Sequence, residues 1–239
     1  MDYLKAIDQR VSSRIYDGQP INENKQKEIL YEIEKCNKEY GLTISFIEDG
    51  SEAFDSFGKS YGLFKGVRSL IMLKGPTENP NLDESIGYSG EKIILLATSL
   101  GLGTCWVGGT FERNNPMFSV ADGERLICVI PIGNILDKKP LLNRVMKLVM
   151  RRKPLDSFYT TDATLPDWFQ SGVEAAQKAP TARNSQKVHF TYKNGITTVS
   201  VPETYKLDFV DLGIVKLHFE LGAEGSFPLG NNVEFTRSK

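Results

Sequence analysis

The chain runs twice through one order of elements: a helix, two strands, then an apolar helix stopped by glycine. Any fold assigned to it has to accommodate that cycle. In the first pass the spacing predicts a helix from about Glu23 to Glu39, with Asn22 as its cap and Ile29, Leu30 and Ile33 on one face. "LTISFIE" (42–48) and "VRSLIMLK" (67–74) read as strands, the second more buried, and "ENPNLDES" (78–85) reads as loop. "GEKIILLATSLGLG" (90–103) has the pattern of a buried helix ended by glycine, and "LICVIPIG" (126–133) that of another strand. After a link the cycle restarts with a helix from Asp167 to Lys178, strands "VHFTYK" (188–193) and "TTVSVP" (197–202), and the apolar helix "DLGIVKLHFELGAEG" (211–225). The unit is far too long for a solenoid repeat. Two explanations stand: the rhythm common to many α+β chains, or a duplicated and fused protomer in which one chain imitates a symmetric dimer.

With 239 residues, 40% of them hydrophobic, the chain can bury a substantial core as one large domain or two small ones. Its 29 Lys and Arg nearly balance 30 Asp and Glu, so no overall field recruits nucleic acid or an anionic membrane. Three widely spaced cysteines, Cys36, Cys105 and Cys128, fit neither a disulfide framework nor a zinc cluster and predict a reducing compartment. The first residues lack the apolar core of a signal peptide, and nowhere do eighteen apolar residues run together. A soluble, cytoplasmic protein with no membrane partner is the expectation.

Four stretches carry chemistry. In "RVSSRIYDG" (10–18) an extended backbone points Arg10, Ser12 and Arg14 the same way, and two guanidinium forks with a hydroxyl between them suit a phosphate. A solvated arginine pair is the plainer reading of that spacing. "KAPTARNSQKVHF" (178–190) stops a helix at Pro180 and clusters Thr181, Asn184, Ser185 and Gln186 beside a strand, either to hold the polar edge of a heterocycle or as ordinary helix-to-strand punctuation. "GLGTCWVGGTF" (101–111) places four glycines where a flat ring can approach backbone, or is a helix cap followed by a bend. It matches neither the dinucleotide fingerprint nor the P-loop. "LLNRVMKLVMRRKPLDSF" (141–158) reads as a helix with Leu141, Leu142, Val145, Met146, Val149 and Met150 on one face, docked on the protein's own core or lying at a membrane surface.

The rest of the catalytic inventory is thin. His189 and His218 are the only histidines, and neither HExxH nor G-x-S-x-G occurs, so no metal site is expected. Cys105 has no base nearby in sequence and reads as a packed residue. Loops suited to a ring and a phosphate, without an evident acid, base or nucleophile, point to chemistry done by a cofactor.

These stretches together resemble the flavin-dependent nitroreductases. "RVSSRIY" resembles their R-x-S-x-R motif, "APTARNSQ" their A-P-S-x-x-N-x-Q loop, and "EKIILLATSLGLGTCWVGG" their central helix and glycine-rich exit. "VIPIG" and "RRKPLDSF" resemble the later strand and basic C-terminal segment. The A-P-S-like loop, which in ordinary members follows soon after R-x-S-x-R, lies here in the second half. Ordinary members are homodimers whose sites draw arginines from one subunit and this loop from the other, so the resemblance is to a single-chain, fused two-half subgroup keeping one site.

The resemblance implies an α+β nitroreductase-like fold, a central mixed sheet flanked by helices, with halves at 1–160 and 161–239. It implies bound FMN, with NAD(P)H as donor and a nitroaromatic, quinone or similar small molecule as acceptor in a ping-pong cycle. Arg10, Ser12 and Arg14 would engage the phosphate and ribityl chain, with Arg152 adding charge. Pro180, Thr181 and Asn184 would line the flavin from the second half, and Trp106, Val107, Gly108 and Gly109 would lie beside the isoalloxazine. Val11, Arg151 and a segment around Tyr61 and Gly62 are weaker candidates, and no catalytic side chain is identified. A monomeric pseudo-dimer or a homodimer fits. The alternative is a flavin-binding or interaction protein of the same fold with little or no turnover.

Overall fold

The computed structural model describes residues 2–54, 64–109, 111, 113, 115–136 and 151–238. The chain divides into two compact units, the first of Met1–Asp2, Gln9–Leu82 and Lys92–Lys138, the second of Tyr3–Asp8, Asp83–Glu91 and Lys139–Lys239. A short helix that no periodicity announces, α1 (Tyr3–Gln9), buries Ala6 and Ile7.

In the first unit α2 (Glu23–Tyr40) starts where Asn22 accepts a hydrogen bond from the Asn24 N–H and ends at Gly41, whose φ of 61° closes the last turn. Its buried stripe is Ile29, Ile33 and Cys36, spaced four and three apart. Leu30, expected on that face, lies off it and is 41% exposed. The sheet runs β1 (Ser45–Ile47), β2 (Ser69–Pro76), β4 (Glu124–Gly133), β3 (Gly103–Thr104), antiparallel throughout. β2 and β4 are buried over almost their whole length, which is why both read as continuous apolar runs rather than alternating ones. Leu70, Met72, Val107, Phe111, Phe118 and Val129 form the centre of its core.

Helix α3 (Leu82–Ser99) begins eight residues earlier than the apolar run that signals it. The stretch 78–85 was expected to be loop, but 82–85 are its first turn. Asp83 and Glu84 look like loop residues in sequence, yet carboxylates at a helix N-terminus face unpaired N–H groups, and Leu82 anchors the turn at 1% exposure.

The second unit holds a mixed sheet of β5 (Tyr159–Thr161), β6 (His189–Lys193), β7 (Ile196–Ser200) and β9 (Val233–Glu234), with β5 parallel to β6 and the rest antiparallel. Asn194 and Gly195, both at positive φ (52° and 76°), make the tight β6–β7 turn, as an Asn-Gly pair between strands predicts. β8 (Gly225–Ser226) pairs with β10 (Thr236–Arg237). Helices α4 (Asp167–Gln177) and α5 (Asp208–Ala223) pack in this unit around Phe169, Phe190, Phe219, Phe227 and Phe235, where Phe190 and Phe219 stack at 4.4 Å. α5 meets the Asp83–Glu91 part of α3 backbone to backbone: a Cβ on Gly213 would strike the Glu84 carbonyl, and one on Gly87 the Val210 carbonyl.

α5, apolar on reading, buries ionisable groups. Lys216 pairs with Glu84 and donates to the carbonyls of Pro228 (2.9 Å) and Gly230 (2.7 Å), while Glu84 accepts the Gly230 N–H at 2.7 Å. His218 lies between the Ala175 carbonyl (3.1 Å) and Glu91 (2.9 Å), and Glu220 accepts from the Tyr88 hydroxyl and the Phe227 N–H, both at 2.7 Å.

The Tyr61–Gly62 segment and residues 141–150 lie outside the described residues. The expected helix over 141–158 does not continue through its described part. Residues 151–154 are irregular and Leu155–Phe158 is a single 3-10 turn, because Pro154 lacks the N–H an α-helix needs there.

Candidate functional site

In the first unit Ser12 bridges Thr104 as a short parallel strand contact, fixed by the Ser13 N–H donating to the Thr104 carbonyl at 2.8 Å. The close approach requires Gly103, since a Cβ there would strike Ser13 and Ile135. The extended backbone buries Ser13 and leaves Arg10, Ser12 and Arg14 half-buried, with Val11 exposed. Tyr16 anchors the far end, its hydroxyl donating to the Ser13 carbonyl at 2.7 Å and to the Pro131 carbonyl at 3.2 Å.

All three polar side chains act electrostatically on Cys105, the residue after Thr104. Burial pushes the Cys105 thiol up, and the charge of Arg14, a hydrogen bond from Ser12 and the charge of Arg10 act against it. The thiol is buried, as its reading as a packed residue required. Two guanidinium groups and a hydroxyl whose charges and hydrogen bond reach the same residue are a donor set of the kind that suits a phosphate ester.

The chain then enters the glycine-rich turn. Val107 is buried and exchanges both backbone hydrogen bonds with Val129 at 3.0 Å, so its N–H is committed. Trp106 and Gly108 are half-buried on either side of it and Gly109 is exposed. Among the described residues nothing lies within 4 Å of where a Cβ on Gly109 would stand. Arg113 ties this turn to β4 by donating to the carbonyls of Gly108 (3.2 Å), Leu126 (2.5 Å) and Ile127 (3.2 Å). Sequence reading passed Arg113 over because its partners are carbonyls distant in the chain.

In the second unit Pro180 follows α4 and Thr181 opens a bend in which Arg183, Asn184 and Gln186 all take positive φ (55°, 53° and 48°). Each such residue costs about 1–3 kcal/mol unless its surroundings hold it. Gln186 is the hub: its side chain accepts the Lys153 N–H at 2.8 Å and donates to the Arg151 carbonyl at 3.1 Å, and its N–H donates to the Thr181 hydroxyl at 3.0 Å. The Asn184 amide also donates to the Arg151 carbonyl, at 3.0 Å. The bend and the "RRKP" segment, read separately from sequence, are thus one structure, with Arg151 and Arg152 exposed beside Asn184. Asp211, in the first turn of α5, accepts the Ala182 N–H at 2.8 Å and the Ser185 hydroxyl at 3.2 Å. Nothing in the sequence marks it, since an acid early in a helix is commonplace.

Over residues 2–223 the sequence matches the family described as "Putative TM nitroreductase". The chain belongs to that family. Its fold is that of a nitroreductase: the structure of a "putative nitroreductase" from Thermotoga maritima is 21% identical, covers 98% of this chain and 92% of its own, and superposes with a TM-score of 0.64. A nitroreductase family protein from Clostridium difficile 630 is 19% identical over 69% of this chain and all of its own, with a TM-score of 0.50. A Bacteroides fragilis nitroreductase with bound FMN is 17% identical over 59% of this chain and 92% of its own, with a TM-score of 0.47. No curated protein matches. Among the described residues of this nitroreductase-family chain, no helix is long and apolar enough to cross a membrane, and no cluster of three metal-ligating side chains occurs.

Proposed function

We propose that this nitroreductase-family oxidoreductase binds FMN, draws electrons from NAD(P)H and delivers them to a nitroaromatic, quinone or similar small acceptor in the cytoplasm. What supports this most is that the half-buried Arg10, Ser12 and Arg14 all act on Cys105, directly ahead of the glycine-rich turn, in a chain of this family. Bound FMN would supply the two-electron chemistry, serving donor and acceptor in alternation as a ping-pong cycle requires. Arg10 and Arg14 hold its phosphate, Ser12 adds a hydroxyl donor, and Val11 is their exposed neighbour. Arg152 is an exposed cation that would suit a phosphate. Trp106, Gly108 and Gly109 would line the ring, where backbone N–H dipoles would favour added negative charge, and Val107 fixes that turn through its pairing with Val129. Pro180, Thr181 and Asn184 supply a polar bend suited to the edge of a flavin ring, with one flavin per fused chain.

The test is a visible spectrum of the purified protein after FMN addition and gel filtration, before and after anaerobic NADPH or NADH. Retained yellow flavin, near one per chain and bleached by either nucleotide, is expected. A colourless protein overturns the flavin assignment, and retained flavin that neither nucleotide bleaches overturns the enzymatic one.

A further inference from the structure

We propose that Asp211 is a positioning residue that holds the Thr181–Gln186 bend in the form that presents Thr181 and Asn184, and that it does so as the carboxylate. This rests on the reading that the bend faces the flavin. Three of the bend's six residues stand in left-handed backbone conformations without being glycine, so the bend keeps its shape only while its hydrogen bonds outweigh the strain. Thr181 and Gln186 close it from one end. In its middle, Asp211 takes the Ala182 N–H on one oxygen and the Ser185 hydroxyl on the other, one on each side of the strained Arg183–Asn184 pair. Asp211 itself is 2% exposed.

A carboxylate receives both bonds at charge-assisted strength, whereas a neutral acid receives them weakened. Burial pushes Asp211 up to about 7, with Asp208 adding to the rise and the two hydrogen bonds and Lys187 opposing it. Its charged neighbours are otherwise engaged. Lys187 pairs with Asp208 at 2.8 Å, and on the α3 segment packed against α5, Glu84 is held by Lys216 and Tyr88 by Glu220. Glu220, raised to about 6, also changes charge between pH 5.5 and 8, but its partners are Tyr88 and Phe227, whereas Asp211 is bonded to the bend itself, which loosens as Asp211 takes up its proton. The sign for overall stability is the reverse. A buried acid with a raised pKa costs the fold least when protonated, and the cost is complete once pH exceeds the folded value.

Opposite signs give the test. Asp211→Asn keeps an acceptor for the Ala182 N–H and a polar partner for Ser185 but cannot carry charge. Amide hydrogen exchange, corrected for intrinsic rates, is expected to show protection at Ala182 falling about tenfold in the native protein from pH 8 to 5.5 and staying low in Asp211→Asn at both. At pH 8 the variant's Tm is no lower than the native value, while its FMN dissociation constant is about tenfold higher, and at pH 5.5 the two proteins coincide. The pH arm needs no variant, and Ser185→Ala, which removes one contact only, gives an intermediate loss of protection. Equal Ala182 protection at both pH values in the native protein overturns the proposal. So does equal FMN affinity of the two proteins at pH 8, which leaves the flavin reading standing. If protection changes as described but neither protein retains FMN, the flavin reading fails and the role of Asp211 in shaping the bend is upheld.

Discussion

The two units handle charge in different ways. The first buries Glu32 on α2, paired with Lys35 and Lys92, keeps the core of its sheet apolar around Leu70, Met72, Val107 and Val129, and sets Arg10 and Arg14 half-buried along a strand-like segment. The second puts Glu84, Glu91, Lys216, His218 and Glu220 inside and closes them on one another. In the first, cations lie half-buried along the candidate site; in the second, ionisable groups hold helices and the C-terminal stretch together. A buried ion pair adds little net stability but makes the loss of either partner expensive, so the second unit should be the more sensitive to single changes.

The strongest test of that contrast is Lys216→Met, which leaves Glu84 as an uncompensated buried acid. A loss of about 3–5 kcal/mol in urea denaturation is expected, largely recovered in the Glu84→Gln, Lys216→Met double variant. A loss below about 1 kcal/mol would erase the difference between the units. Next comes Arg14→Ala, which should leave unfolding nearly unchanged while weakening FMN retention by about 1.5–3 kcal/mol, read by fluorescence titration. Unchanged affinity removes Arg14 from the site.

The third test is pH. Burial raises Glu220 to about 6, whereas the hydrogen bond from Lys74 lowers Glu124, in the first unit, to about 2. Relative to their unfolded values, Glu124 contributes stability that is present above pH 4.5 and lost as pH falls towards 2, while Glu220 imposes a cost that grows as pH rises from 4.5 through 6. Glu220→Gln should therefore gain up to about 2 kcal/mol at pH 8 and nothing at pH 4. The smallest effect is expected of Lys74→Met, which breaks the 2.5 Å pair with Glu124 on the β2–β4 ladder for about 1 kcal/mol or less in the same denaturation assay.

Where local patterning decides structure, the sequence was informative. Asn22 caps α2, and the apolar runs of β2, β4 and α5 are buried as read. The start of α3 was hidden because Asp83, Glu84 and Ser85 are loop residues by composition, and only the fold shows Glu84 answering a lysine 132 positions away. α1 is too short for periodicity to register. At the candidate site the arginine–serine spacing and the Pro180–Asn184 cluster were visible as chemistry. Their supports, Gly103 against Ser13, Arg113 on the Gly108 carbonyl and Asp211 beneath Ala182, were not, because each acts on backbone brought near by folding.

The three oxygen partners of Lys216 include two carbonyls of the C-terminal stretch, at Pro228 and Gly230. A proteolytic nick or a shortened expression product ending before residue 228 would strip an ammonium group of most of its solvation in the middle of α5. Damage at the tail would then be felt first at the helix centre, as a cooperative loss of the whole unit rather than fraying from its end.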